Sequence, residues 1–115
     1  MTSLNLKSNG INDRGARLLA KSNNFRKLTF LCLKENDIGD DVVTALSESP
    51  FLNSLTTLDL STNRGGTRSA IALANSNLSR MTRLNLEGNR IGNEGVLALQ
   101  ELKRRVHGLK SLLLN

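Results

Sequence analysis

Two side chains in this sequence have the chemistry of a nucleophile and its base: the thiol of Cys32 and the imidazole of His107. Each is the only residue of its type. A cysteine nucleophile needs its histidine within hydrogen-bonding reach, so a catalytic hypothesis depends on the elements that carry the two residues. One cysteine and one histidine also fall short of the four ligands of a structural zinc site. A single cysteine excludes an intrachain disulfide.

Glycine-rich stretches and basic clusters are the other candidates for ligand chemistry. GNRIGNEG (88–95) and RGG (64–66) match no phosphate-binding motif. Cations cluster around two predicted helix C-termini, where they offset the helix dipole. With a formal net charge of +6, the clusters allow RNA or anionic-surface binding as an alternative function, but they lack aromatic residues for base stacking. Their members are Arg14, Arg17, Lys21, Arg26, Lys27, Lys103, Arg104, Arg105 and Lys110.

A repeat sets the positions of all these residues. LNLKSN, LCLKEN, LDLSTN and LNLEGN end in asparagines that are 27, 27 and 26 residues apart. An apolar residue three positions before each segment completes L-x-x-L-x-L-x-x-N, and LLLN opens a fifth copy. Those upstream residues are Met1, Leu28, Leu55, Met81 and Leu109. We expect one domain, 1–115, with repeats at 1–27, 28–54, 55–80, 81–108 and a partial repeat at 109–115.

Downstream of each asparagine the apolar spacing changes to that of a helix, as at Val43 and Leu46. Each repeat is therefore predicted to contain a strand, a turn, a helix and a return loop. Cys32 then lies on a strand and His107 lies after a helix on the far side of the unit. We expect no catalytic site, no metal and no cofactor.

The third copy departs most from the pattern. Gly65 replaces the isoleucine found at Ile11, Ile38 and Ile91, and the copy is one residue shorter. These differences predict a looser turn after Asn63.

The asparagines lie where the chain leaves each strand and turns inward. An asparagine amide both donates and accepts hydrogen bonds, so it can satisfy backbone groups in a buried turn. We expect a structural ladder along the stack, formed by Asn9, Asn36, Asn63 and Asn89.

This pattern resembles the leucine-rich repeat proteins over essentially the whole chain. NRIGNEGVLALQEL (89–102) is similar to the ribonuclease-inhibitor-like subtype. The resemblance implies an α/β fold: a right-handed solenoid with a parallel concave sheet and convex helices. It also implies a non-catalytic scaffold that binds a protein partner on the concave strand face.

The candidate contact residues are the outward-pointing strand positions, because the repeat does not dictate their chemistry. Phe30 is the most suggestive, as an aromatic anchor within a polar rim; the alternative is that it merely covers the sheet. The predicted concave-face residues are Phe30, Cys32, Lys34, Asp59, Ser61, Arg83, Asn85 and Glu87.

Neither end of the sequence shows the polar cap of a terminal repeat. We favour a fragment of a longer repeat array, with stacking of the ends in a homo-oligomer as the alternative. The first residues lack the apolar core of a signal peptide, and no segment is apolar enough to span a bilayer. We therefore expect a cytoplasmic protein without membrane insertion, whose main partner is a protein rather than a nucleic acid.

Overall fold

The computed structural model describes residues 2–114, so the predicted apolar position at Met1 lies outside the described residues. The strands are β1 (Ser3–Asn5), β2 (Phe30–Cys32), β3 (Thr57–Asp59), β4 (Arg83–Asn85) and β5 (Ser111–Leu113). The helices are α1 (Asp13–Ala20), α2 (Asp40–Ser47), α3 (Thr67–Ala74) and α4 (Asn93–Arg105). A short 3₁₀ helix spans Leu52–Ser54.

The five strands form one parallel sheet in chain order. Its register aligns equivalent repeat positions, so Leu58 pairs with Leu31 on one side and with Leu84 on the other. The helices pack against one another in the same order, α1 on α2, α2 on α3 and α3 on α4. This arrangement confirms the predicted α/β solenoid of leucine-rich repeats.

The core lies between the sheet and the helices and consists mainly of leucines. Leu31, Leu58 and Leu84 are each at most 1% exposed, because a neighbouring repeat covers them on both sides. Leu4 and Leu112, on the outer strands, are only half-buried. Full burial of a leucine contributes about 1.5–3 kcal/mol, so the inner repeats gain more from stacking than the outer ones.

Asparagine side chains link consecutive repeats at the ends of the strands. Asn36 is 3% exposed, and its Oδ1 accepts hydrogen bonds from the backbone N–H groups of Asn9 (3.1 Å) and Ile11 (2.9 Å). Its Nδ2 donates to three backbone carbonyls at 2.9–3.1 Å, those of Leu6, Leu33 and Lys34. One side chain thereby satisfies five backbone groups of two repeats.

The other asparagines repeat this pattern to different extents. Asn63 accepts from the backbone N–H groups of Asn36 and Ile38 and donates to three carbonyls. Asn89 also donates to three carbonyls, and its Oδ1 accepts from the N–H of Gly65 at 2.8 Å. Asn9 is exposed, and within the described residues its side chain bonds only to the carbonyl of Lys7.

A second set of hydrogen bonds between repeats lies at the helix N-termini. Three helices have glycine as the N-cap residue, and glycine has no side chain to accept from the first N–H groups. The preceding repeat supplies an acceptor for the N–H of each of these glycines. Asp13 accepts from Gly39, Asp40 from Gly66, and the Thr67 hydroxyl from Gly92.

Asp40 makes the most extensive of these caps. Its Oδ1 accepts from the N–H of Gly66 (2.7 Å), the N–H of Ser69 (3.1 Å) and the Ser69 hydroxyl (2.5 Å). Partial burial acts to raise the pKa of Asp40, but these hydrogen bonds and the nearby charge of Arg68 outweigh it, so the pKa lies below its usual value of 3.8. The ionised carboxylate is therefore the form that stabilises the stack.

We expect Asp40→Ala to lower the free energy of unfolding by about 1–2 kcal/mol at neutral pH, through loss of the cap. Because the pKa is depressed in the folded state, this contribution is present above pH 4, roughly the unfolded pKa, and is lost as the pH falls through the folded pKa. Urea unfolding at pH 7 and in acid measures both effects. Asp41→Ala is the matched control, since the Asp41 carboxylate is mostly exposed and pairs with Arg68. A loss as large as that of Asp40→Ala in this control would contradict the capping role.

The turn of the third repeat, for which the sequence predicts a looser conformation, is held by its neighbours. The helix of this repeat starts four residues after Asn63, as in the other copies, and the missing residue belongs to the return loop between α3 and β4. In the turn, the N–H groups of Arg64 and Gly65 bond to the Ile38 carbonyl and to Asn89 Oδ1, both at 2.8 Å. Neighbouring repeats thus hold this segment, but Asn89 Oδ1 accepts from one N–H group of this turn, whereas Asn36 and Asn63 each accept from two N–H groups of the turn before them. The looser turn stays a prediction.

Candidate binding face

The outward positions of the five strands form two rows across the sheet, and we call this surface the sheet face. The register places in the first row Ser3, Phe30, Thr57, Arg83 and Ser111. It places in the second row Asn5, Cys32, Asp59, Asn85 and Leu113. Two residues beyond the second row come Lys34 after Cys32, Ser61 after Asp59, and Glu87 after Asn85. The repeat therefore brings together all eight predicted contact residues at one side of the sheet.

Two of the predicted contact residues are buried in the free chain. Cys32 is 6% exposed and Ser61 is 3% exposed. Both side chains are short, and the Ser61 hydroxyl turns towards Asp59, donating to Oδ1 at 2.6 Å. Cys32 and Ser61 therefore offer little surface to a partner, because the period of two fixes the side of the sheet while exposure depends on how far neighbouring side chains project. Their role as contact residues stays a prediction.

A shallow cleft of about 220 Å³ opens over β3 and β4. Phe30, which is half-buried, lines it on the β2 side, and Leu113, which is 37% exposed, lines it on the β5 side. The other lining residues are Thr57, Leu58, Asp59, Arg83, Leu84, Asn85 and Ser111. This volume is smaller than the 300–1,000 Å³ or so of small-molecule pockets, so it suits a single side chain of a partner.

The two charged groups that line the cleft differ in their hydrogen-bond and ion-pair partners. Asp59 Oδ1 already accepts hydrogen bonds from the Ser61 N–H (2.9 Å) and hydroxyl. Arg83 is exposed, and within residues 2–114 it forms no ion pair. A guanidinium beside apolar walls can bind a carboxylate in bidentate geometry. The cleft therefore suits an apolar side chain with an acidic neighbour.

The remaining predicted contact residues frame the cleft. Asn85 lines it, and its Oδ1 accepts from the Glu87 N–H at 3.0 Å, which fixes the amide orientation. Lys34 is half-buried and Glu87 is exposed at the rim of the sheet face. Thr57, Ser111 and Leu113 also line the cleft and were absent from the predicted set. Their positions in the same two repeat columns as Arg83 and Asn85 are the signal that could have identified them.

The two residues with catalytic chemistry lie on different elements. Cys32 is buried on β2, whereas His107 is exposed in the loop that follows α4. Within residues 2–114, no group of histidine, cysteine, aspartate and glutamate side chains is arranged to hold a metal ion.

None of the helices in the described part of the chain has the length and apolar character needed to cross a membrane. The longest, α4, has 13 residues and ends in Lys103, Arg104 and Arg105.

Comparison with known proteins supports the repeat assignment. A family model described as "Leucine Rich repeat" matches residues 1–20 and residues 77–99. The two segments contain β1 with α1 and β4 with the first half of α4. No curated protein matches the chain. The matched segments, together with the parallel sheet, support a leucine-rich repeat protein, and domains of this kind generally mediate protein–protein interaction.

Proposed function

We propose that this protein is a non-catalytic scaffold that binds a protein partner on the sheet face. The observation that carries the proposal is the cleft between Phe30 and Leu113, with the guanidinium of Arg83, which forms no ion pair within residues 2–114, at its edge. A half-buried aromatic residue loses little conformational freedom on binding and can act as an anchor within a polar rim. Repeats of 26–28 residues with a helix in every full copy also favour the ribonuclease-inhibitor-like subtype.

The partner segment that fits this cleft has an apolar side chain next to a carboxylate. The apolar side chain would contact Phe30 and Leu113 and displace water from the cleft. The carboxylate would pair with Arg83, away from Asp59, which would repel it. A partner with a basic residue at this point would leave Arg83 opposed by a like charge.

We expect peptides selected from a random display library on the immobilised protein to carry this acidic and apolar pair. Phe30→Ala combined with Arg83→Ala should weaken the selected peptides by about 2 kcal/mol or more, roughly thirtyfold in Kd, as expected for hot-spot residues. Fluorescence anisotropy with purified peptide measures the change. The loss should divide between the two single variants, because one removes the anchor and the other removes the charge.

The matched control is Leu18→Ala combined with Arg14→Ala. It removes one large apolar side chain and one arginine from α1, where Leu18 is 67% exposed and Arg14 is also exposed. This variant should bind within about twofold of the unmodified chain. Selected peptides that bind the sheet-face variant as tightly as the control variant would overturn the proposal.

A further inference from the structure

Positive charge is concentrated along one edge of the solenoid. The segments that join each helix to the next strand are 21–29, 48–56, 75–82 and 106–110. We call the surface that they form the return-loop edge. These segments hold five cations and one carboxylate, namely Lys21, Arg26, Lys27, Arg80 and Lys110 against Glu48. The turns at the opposite edge, 6–12, 33–39, 60–66 and 86–92, hold four cations and three carboxylates. The return-loop edge thus carries a net +4 of the chain's +6.

Helix dipoles do not explain the arginines of this edge. Arg26 and Arg80 each lie six residues beyond the end of a helix, past the range of a helix-end effect. Both are exposed, and neither forms an ion pair within the described part of the chain. Their charges are therefore available to a ligand.

A cleft of about 300 Å³ lies between Arg26 and Arg80. It forms where the second return loop is drawn inward: Phe51 is 1% exposed and contacts Phe25 edge to face, with ring centroids 6.0 Å apart. The Ser54 hydroxyl ties the same loop to the carbonyl of Leu28. The remaining lining is uncharged, from Pro50, Asn53, Ser54 and Ser79.

A second cleft of about 400 Å³ adjoins the first and shares Ser79 with it. Here the Arg105 guanidinium is anchored, since its Nη2 donates to the Ala74 carbonyl at 2.5 Å. An arginine has five N–H donors, so four remain for a ligand. His107 lines the same cleft, and no residue that lines either cleft is acidic.

We propose that the two clefts bind phosphorylated side chains of a partner peptide, at a site separate from the sheet face. Arginine clusters recognise phosphate by paired charge-assisted hydrogen bonds, and a cleft without carboxylates does not repel a dianion. Each cleft has room for a phosphate-bearing side chain, and the shared Ser79 places the two in succession along one extended peptide.

The aromatic residues favour a phosphopeptide over single-stranded RNA. RNA binders present exposed aromatic side chains on which bases stack. The chain has three phenylalanines and no tryptophan or tyrosine. Phe51 is buried against Phe25, and Phe30 lies on the sheet face, so no phenylalanine lines either cleft, and His107 is the one ring in their lining on which a base could stack.

The test is fluorescence anisotropy with a short labelled Gly/Ser/Ala peptide that carries two phosphoserines. We expect this peptide to bind more tightly, by about tenfold or more, than the same peptide without phosphate, and than the same peptide with glutamate at both positions. Arg26→Gln combined with Arg80→Gln should weaken binding by about tenfold or more. Both residues are exposed, so these variants should keep the melting temperature of the unmodified chain.

Arg14→Gln combined with Arg90→Gln is the matched control, because it removes the same charge from exposed positions outside the return-loop edge. This control should bind the phosphopeptide within about twofold of the unmodified chain. Equal losses in the two double variants would mean diffuse attraction by net charge and would overturn the site. Equal binding of the glutamate peptide, or tighter binding of a labelled oligouridylate of equal charge, would also overturn it. Peptides selected on the sheet face should be unaffected by Arg26→Gln and Arg80→Gln, so the two proposals can fail separately.

Discussion

Replacing Asn36 with alanine is expected to lower the free energy of unfolding by about 3 kcal/mol or more. The substitution leaves the N–H groups of Asn9 and Ile11 and the carbonyl of Leu6 without their partner, whereas the carbonyls of Leu33 and Lys34 keep bonds from Asn63 Nδ2 and from the Ser8 N–H. An unsatisfied buried polar group costs about 1–3 kcal/mol. Water can reach some of the groups in the first repeat, where Asn9 is exposed, so the total falls below the simple sum. The loss should be among the largest of any single polar substitution in the chain.

Asn9→Ala is the matched control because it makes the same chemical change at the equivalent position of the first repeat. The described contacts of the Asn9 side chain are limited to one carbonyl, so we expect a loss of about 0.5 kcal/mol or less. The chain has no tryptophan or tyrosine, so urea unfolding should be followed by far-ultraviolet circular dichroism. Equal losses for the two variants would show that the bonds to the neighbouring repeat contribute nothing.

Asn36→Asp distinguishes the acceptor role of the Asn36 side chain from its donor role. Aspartate keeps the acceptor for the N–H groups of Asn9 and Ile11 but loses the donors to three carbonyls. It also places a charge in a site that is 3% exposed. We expect a destabilisation that increases with pH as the carboxyl ionises, in contrast to the pH-independent loss for alanine.

The fold could be predicted because each element is written four times in the same register. Leu31, Leu58 and Leu84 mark the inward column, and an asparagine that recurs beside apolar residues identifies a buried polar group. A threonine column could have been found in the same way. The hydroxyls of Thr29, Thr56 and Thr82 each donate to the carbonyl of the threonine one repeat earlier.

The caps between repeats could not be predicted from the sequence. Thr67 differs in type from Asp13 and Asp40, and an acidic residue in a first helical turn already stabilises its own helix through the dipole. The sequence does not show that the acceptor serves the next repeat, because that depends on the distance between stacked helices. Burial on the sheet face is equally non-local, which is why the sequence does not show that Cys32 and Ser61 are buried.

The third repeat shows a related compensation between positions four residues apart. Ile11 and Ile91 are each followed four positions later by a glycine, Gly15 and Gly95. A Cβ on Gly95 would lie 2.8 Å from Ile91 Cγ2. In the fourth repeat, therefore, the isoleucine at position 91 requires a glycine at position 95. In the third repeat the glycine, Gly65, is at the first of these two positions and the larger residue, Ser69, is at the second. The second repeat has a large residue at both positions, Ile38 and Val42.

Gly65→Ile, which restores the repeat pattern, is therefore expected to destabilise the protein by about 3 kcal/mol. A Cβ at residue 65 would lie 3.0 Å from Asn89 Oδ1 and 3.2 Å from Ser69 Oγ. Overpacking costs about 1–3 kcal/mol, and displacement of the Asn89 amide also weakens its 2.8 Å hydrogen bond from the Gly65 N–H. Gly65 does not have a positive φ, so the backbone itself would accept isoleucine.

A double-mutant cycle with Ser69→Gly tests this explanation. Ser69→Gly alone should cost about 1–2 kcal/mol, because the hydroxyl bond to Asp40 is lost and glycine disfavours a helix. The double variant recreates the isoleucine and glycine arrangement of the first and fourth repeats, so its loss should be about 1–2 kcal/mol smaller than the sum of the single losses. Additive losses would mean that Ser69 does not determine which residue fits at position 65. A stabilised Gly65→Ile variant would mean that the repeat pattern outweighs the contacts at this site.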